Sequence, residues 1–310
     1  MALRENGARY VYGLSRLRVR ALNDDLTSPS ASNMIGGAGP FNFSSAVAPG
    51  AVTGFVKVDG GATQSFTIDL EDAGINIAAV TVAQWVTAMN AGLTAASITG
   101  FTASAQAVTG RAKLVHATGV YVQFWGEAAK LAMFGQGKGL KAVACDTMQS
   151  FSESPTMKED ETKAITDANG KDVEVIIEGY KKGWTGSMVD TAEDFELMEL
   201  IESGTIDAAG AYHDPDSSTK KIMVEIEVYN PIYGYGTNDE DQIVAWRHMK
   251  YLKAKGSVGE NSLSADFGTK TYNLTGVNYK DAAGVESGAI VREDLALTAW
   301  SPETFDAMAA

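Results

Sequence analysis

The chain of 310 residues is 45% hydrophobic and 21% charged, which supplies one large core or two ordinary ones and excludes a disordered or collagenous polymer. Its 39 acidic residues against 25 basic ones give a formal net charge of -14, and no dense Lys/Arg run exists, so nucleic-acid binding by phosphate neutralisation is excluded as the main activity. No stretch approaches the ~18 uncharged apolar residues of a membrane span, and MALRENGARYVYGLSRLRVR has no apolar signal-peptide core, so synthesis and folding in a cytosol are expected. In chain order, the first predicted element is a strand over residues 14–22. There Leu17, Val19 and Ala21 alternate with Arg16, Arg18 and Arg20. TSPSASNMIGGAGP, residues 27–40, has no periodicity and reads as a linker or a long surface loop, so residues 1–52 are assigned to a strand and linker of the main β domain.

Residues 53–139 are rich in Ala, Thr, Val and Gly and read as a small α+β module. The strands GFVKVDG and QSFTIDL flank the hairpin turn Asp59-Gly60-Gly61. Thr81 opens a helix with Gln84 three residues on, as in a capping box, and Val82, Trp85, Val86, Met89 and Leu93 fall on one face. FTASAQAV, AKLVHA and VYVQFWG follow as short strands. This order resembles small βαβ-type modules inserted in flagellar and phage tail proteins, over about 90 residues.

From Leu140 onward the pattern is mostly β, with strands predicted in LKAVACDTMQSF, KKIMVEIEVYN, RHMKYLKAKGS, KTYNLTGVNY and LALTAW. The longest lies in DANGKDVEVIIEGYKKGWTGSMV, residues 167–189. After a turn at Asn169-Gly170, Val173, Val175 and Ile177 alternate with Asp172, Glu174 and Glu178, and the run continues past Gly179, Gly183 and Gly186. At about 18 residues, roughly 60 Å if extended, it exceeds an ordinary strand threefold. One helix interrupts the strands: Asp190 is the expected N-cap with Glu193 at N3. Phe195, Leu197, Met198, Leu200 and Ile201 form its apolar arc, Glu196 and Glu199 its exposed side, and Gly204 its stop. The expected architecture is mainly β with an α+β insertion: a β-sandwich or partly closed barrel over residues 140–310, with one packed helix and a long hairpin.

Few residues carry a chemical signature. His116, His213 and His248 have no ligand spacing. FGQGKGLK, residues 134–141, lacks the spacing and the Ser/Thr of a phosphate loop and reads as a glycine-rich exit from the module. There is no G-x-S-x-G elbow, and Cys145, the only cysteine, reads as a buried apolar side chain. TNDEDQ and HDPDSS lack the order of an EF-hand and read as solvated loops. Glu174 and Glu178 could form an acid pair of a carbohydrate-active enzyme, but such spacing is common on wetted strands. EVYNPIYGYG places Tyr229, Tyr233 and Tyr235 in a predicted loop that is either a subunit contact or core packing at a barrel rim.

The order of long hairpin, EGYKKGWTGSMV strand, helix DTAEDFELMELIESG and closing LALTAW resembles the major tail tube protein of tailed bacteriophages and the inner tube of contractile injection machines, over roughly residues 140–300. The resemblance implies a non-enzymatic virion subunit without cofactor or metal, assembled in a host bacterial cytoplasm into hexameric rings. The rings would stack into a hollow conduit through which DNA passes without specific binding. Tail sheath, tape measure and terminator proteins are the further partners it implies. The hairpin would pack on the next ring through Met157, Lys158, Glu159, Asp160, Glu161, Lys163 and Ile165. In size the chain departs from simple tube proteins, which are much shorter. The alternative is a surface adhesin or capsid-decorating protein in which residues 53–139 bind a partner.

Overall fold

The computed structural model describes the backbone of all residues except 1–9, 12, 49, 72–73, 120, 167–171, 178–179, 208, 235–241, 263–267, 281–285, 288–289, 303–304 and 306–310. Three short strands come first: β1 (Tyr10–Val11), β2 (Arg16–Ala21) and β3 (Met34–Ile35). The presumed linker therefore contains a strand. Met34, Phe41, Phe43 and Ala46 are buried in the core of the inserted module, so by packing that module begins near Met34 and not at Thr53.

Within the module, β4 (Ala51–Val58) and β5 (Gln64–Asp69) form the expected hairpin, turned by Asp59 and Gly60 at φ of 47° and 73°. Helix α1 (Val82–Ala95) carries the expected capping box and buries Trp85, Met89 and Leu93. Strands β6 (Phe101–Ala105), β7 (Ala112–His116) and β8 (Val122–Trp125) follow, then a short helix α2 (Glu127–Leu131). Two three-stranded sheets result, β3-β7-β6 and β5-β4-β8, around Phe41, Phe66, Trp85, Phe124 and Phe134. The glycine-rich exit needs its glycines: at Gly135, with φ of 58°, a Cβ would lie 1.6 Å from the Gly139 carbonyl oxygen.

The second half contributes β9 (Ala142–Cys145), β10 (Met148–Lys158), β11 (Glu161–Thr166), β12 (Asp172–Ile177) and β13 (Tyr180–Asp190). Helix α3 (Phe195–Glu202) and the short β14 (Thr205–Ile206) and β15 (Tyr212–His213) come next. The chain closes with β16 (Val224–Tyr233), β17 (Ile243–Ser262), β18 (Thr269–Val277), β19 (Tyr279–Lys280), β20 (Glu286–Ser287) and β21 (Ile290–Ala296). An antiparallel nine-stranded sheet runs β10-β13-β18-β17-β16-β2-β9, with β1 beside β16 and β21 beside β17. Its end strands β9 and β10 are separated in the chain by Asp146 and Thr147 alone. Laid flat, the seven strands would hold those ends about 30 Å apart, whereas a two-residue link reaches about 10 Å. The sheet must roll. At the seam the Thr147 hydroxyl donates to Asp190 at 2.6 Å, and no ladder joins β9 to β10 among the described residues.

The roll encloses Leu17, Val19, Trp184, Met188, Ile226, Tyr251, Tyr272 and Leu274, together with Leu197, Met198, Leu200 and Ile201 from α3. The N-cap of α3 is Asp194, whose carboxylate accepts from the Glu196 and Leu197 amides, and not Asp190, which ends β13. Phe195 leaves the expected apolar arc: it is exposed and stacks on Tyr212. The predicted strand LALTAW stops at Ala296, and Trp300 turns back into an aromatic cluster.

Candidate assembly surface

The long ribbon exists as two consecutive ladders. Strands β10 and β13 pair from Met148↔Asp190 to Lys158↔Tyr180, and β11 and β12 continue from Glu161↔Ile177 to Thr166↔Asp172. Strand β18 accompanies β13 only as far as Gly183, where a Cβ would meet the Gly276 carbonyl oxygen at 2.1 Å. Beyond that notch the ribbon has two strands, and β11–β12 pairs with no third strand among the described residues. Where it departs, Met157 (57% exposed), Tyr180 (54%) and Val277 (47%) are uncovered apolar side chains. The Lys158 ammonium lies 5.8 Å from the Tyr180 ring centroid, within cation–π range.

The predicted hairpin residues fall along this ribbon. Met157 and Lys158 end β10, and Glu159 and Asp160 link it, exposed, to β11. Glu161, Lys163 and Ile165 occupy β11 positions opposite Ile177, Val175 and Val173. Glu174 stands opposite Ala164, while the Asn169-Gly170 turn and Glu178 lie outside the described residues.

Strand alternation sorts the outward face of the roll into two halves. On β10, β13, β18 and the second part of β17 the outward positions are Ser150, Ser152, Ser154 and Thr156; Thr185, Ser187 and Val189; Thr271, Asn273, Thr275 and Val277; and Lys255 and Ser257. These are exposed or half-buried, and no carboxylate stands among them. On β2, β16 and the first part of β17 the outward positions are charged: Arg18 faces Glu227 and Arg20 faces Glu225 across β2–β16. Arg18, Arg20, Glu225 and Glu227 are all buried. Arg20 Nε donates to Glu225 at 2.7 Å and Arg18 Nε to Glu227 at 2.7 Å. Tyr121 of the module lies over Arg18, 4.2 Å from guanidinium to ring centroid. Burial alone would raise the Glu227 pKa, but Arg18, Arg20, Lys250 and His248 together hold it far below the ordinary carboxylate value. The same reciprocity keeps Arg20 charged: burial opposes its cation, and Glu225 and Glu227 more than offset that penalty. The signal for this network was in the sequence, where RLRVRA and VEIEVY carry opposite charges at the same period.

As far as Tyr233 the tyrosine segment is a strand and not a loop. Tyr229 is buried, sandwiched between His248 at 4.5 Å and Trp300 at 4.4 Å, so it packs the molecule's own rim and offers no contact surface. Tyr233 ends β16 half-buried opposite Ile243, and Tyr235 lies outside the described residues. The histidines are not brought together. His116 packs on Phe101, His213 pairs with Asp207, and His248 Nδ1 lies 2.8 Å from Glu293. No metal-holding cluster of His, Cys, Asp and Glu occurs among the described residues. Cys145 is buried, and that burial, reinforced by Asp190, Asp194 and Asp146, pushes its thiol pKa above the ordinary value. Asp216 caps its own turn through Ser218 and Thr219, while residues 237–241 of TNDEDQ lie outside the described residues. Compared with family models and with curated proteins, the chain matches none.

Proposed function

We propose that this chain is a structural subunit that assembles into rings and stacks them into a hollow conduit, as tail tube proteins of tailed phages do. The observation that carries the reading is the ribbon. It leaves its sheet at Gly183, continues as a two-stranded ladder, and exposes Met157, Tyr180 and Val277 at its base. A two-stranded ladder is marginal alone and gains stability from a partner surface, which a neighbouring ring supplies. The half of the roll dominated by Ser, Thr and Asn, with no carboxylate and Lys255 as its charged outward position among those described, suits the conduit wall, since hydroxyls neither trap nor repel a passing polyanion as a row of Lys or Asp would.

The test replaces residues 159–179 by a two-residue Asn-Gly turn, which closes the hairpin on the Lys158↔Tyr180 pair and leaves the sheet intact. Parent and variant are compared by sedimentation and negative-stain electron microscopy. The parent is expected to form striated tubes, and the variant folded subunits or rings without long tubes. A parent that remains a monomer at high concentration would end the reading. Variant tubes of full length would remove the ribbon from it.

A further inference from the structure

Between the module and the rolled sheet lies a cleft of about 520 Å³. One wall is the outward face of β4 and β8, the other the outward face of β2 and β9, where Ala142 and Ala144 are too small to fill the gap. Lys57 and Gln123 are direct cross-strand partners on the first wall, so their side chains rise side by side. Both are more than nine-tenths buried, at 5% and 4% exposure. Lys57 makes no hydrogen bond or ion pair with any described residue, and Gln123 Nε2 is a buried donor without an acceptor. The Lys57 side chain is buried up to an ammonium that meets the cleft without a partner, and beside it stands a buried, unmet amide donor, an arrangement that an arriving anion would relieve.

The rest of the lining limits what else the anion can carry. Trp125 stacks one face on Phe55, with ring centroids 5.8 Å apart, and lines the cleft together with Phe305. Thr63 and Asp146 add a hydroxyl and a carboxylate that suit ligand hydroxyl groups. Asp194 is committed to the α3 cap and Glu196 to Lys141, so neither competes for Lys57. The volume falls in the range of small-molecule sites.

We infer that this cleft binds a small acidic saccharide, whose anionic group is held by Lys57 and Gln123 and whose ring lies against Trp125. Nothing in this depends on tube assembly. The experiment titrates the full chain with glucuronate, glucose 6-phosphate and glucose at up to millimolar concentration, read by calorimetry and by thermal shift. At least one acidic sugar is expected to bind, with glucose much weaker; the stronger of the two identifies the anion as carboxylate or phosphate. Lys57→Met is expected to weaken binding about tenfold or more while leaving the unliganded protein about as stable, because the cation removed has no partner in the protein. Gln123→Leu should act in the same direction and less strongly. Failure of both acidic sugars to bind more tightly than glucose overturns the proposal. So does undiminished binding by Lys57→Met, and so does a marked loss of stability in that variant without ligand, which would assign Lys57 a structural role.

Discussion

On the half of the rolled sheet built from β2, β16 and the first part of β17, the outward positions hold arginine, glutamate and histidine beneath a cover. On the half built from β10, β13, β18 and the rest of β17 they hold mainly serine, threonine and asparagine, with Lys255, and stand bare. This inverts the usual placement, in which charge goes to water and neutral groups go inside. Under the cover, each arginine has a glutamate directly opposite, so one residue of register slip between β2 and β16 would leave buried charges unmatched. Charge there specifies pairing and seats the module through Tyr121 on Arg18. The bare half needs no such key. In a chain of net charge -14, its lack of carboxylates sets it apart from a surface made only for solubility.

The largest expected effect comes from removing the cover at two different boundaries. Arg20 pairs with Ala142, so the chain leaves and re-enters the sheet at neighbouring points, and residues 23–140 are an insertion into what would otherwise be a β2–β9 hairpin. Deleting 23–140 and closing with Asn-Gly should leave a soluble, cooperatively folding sheet domain. Deleting only 53–139 strands Met34, Phe41 and Phe43, which lose about 1.5 to 3 kcal/mol of burial each, and should aggregate. Soluble yield and thermal unfolding of the two deletions check this, and equal behaviour would erase the boundary.

Glu227→Gln comes second. It leaves Arg18 and Arg20 in a buried site with half their counter-charge, a change expected to cost about 3 to 5 kcal/mol in chemical denaturation. The pH dependence has a definite sign. The folded pKa of Glu227 is depressed, so its contribution is fully present above the ordinary value of 4.5 and is lost progressively as pH falls below it. The stability profiles of variant and parent should therefore run parallel from neutrality to pH 4.5, and below it the variant should lose less stability than the parent. A loss of under ~1 kcal/mol, or identical acid profiles, would mean that the network is ornamental.

Much of the fold was legible because it rests on local signals. The Thr81 capping box, the Asp59-Gly60 turn and the period-two strands are each specified within a few residues, and the long ribbon announced itself by length. What escaped depends on partners distant in sequence. Arg16, Arg18 and Arg20 alternate as a solvated face would, and only the arrival of β16 and Tyr121 buries Arg18 and Arg20. Tyr229 looked like a loop contact because Pro231 and the glycines beyond it suggest a turn, yet β16 runs through Pro231 to Tyr233. Asp194 displaced Asp190 as the cap because β13 still pairs with β18 at Asp190↔Lys270, which delays the helix. The hydroxyl face and the Lys57–Gln123 pair became visible only once strand register was known.

The smallest expected effects lie on the bare half, where the distinction between a wall and a contact can be drawn most sharply. Thr185 and Thr275 are cross-strand partners exposed on that face, and substituting alanine at either should change stability by no more than about 0.5 kcal/mol. Glutamate is the more informative replacement. Thr185→Glu with Thr275→Glu sets like charges directly opposite each other, which lowers subunit stability modestly and in a salt-dependent way. If the face lines a conduit it stays wetted in the assembly, the two carboxylates remain solvated, and tubes form with unchanged diameter at moderate salt. If the face is instead buried between subunits, the same carboxylates must be desolvated without a partner, and assembly should be lost while the subunit remains folded. Electron microscopy of the double variant beside circular dichroism of its unassembled form separates the outcomes. Loss of tubes from a well-folded double variant would move the hydroxyl face from the wall to an interface.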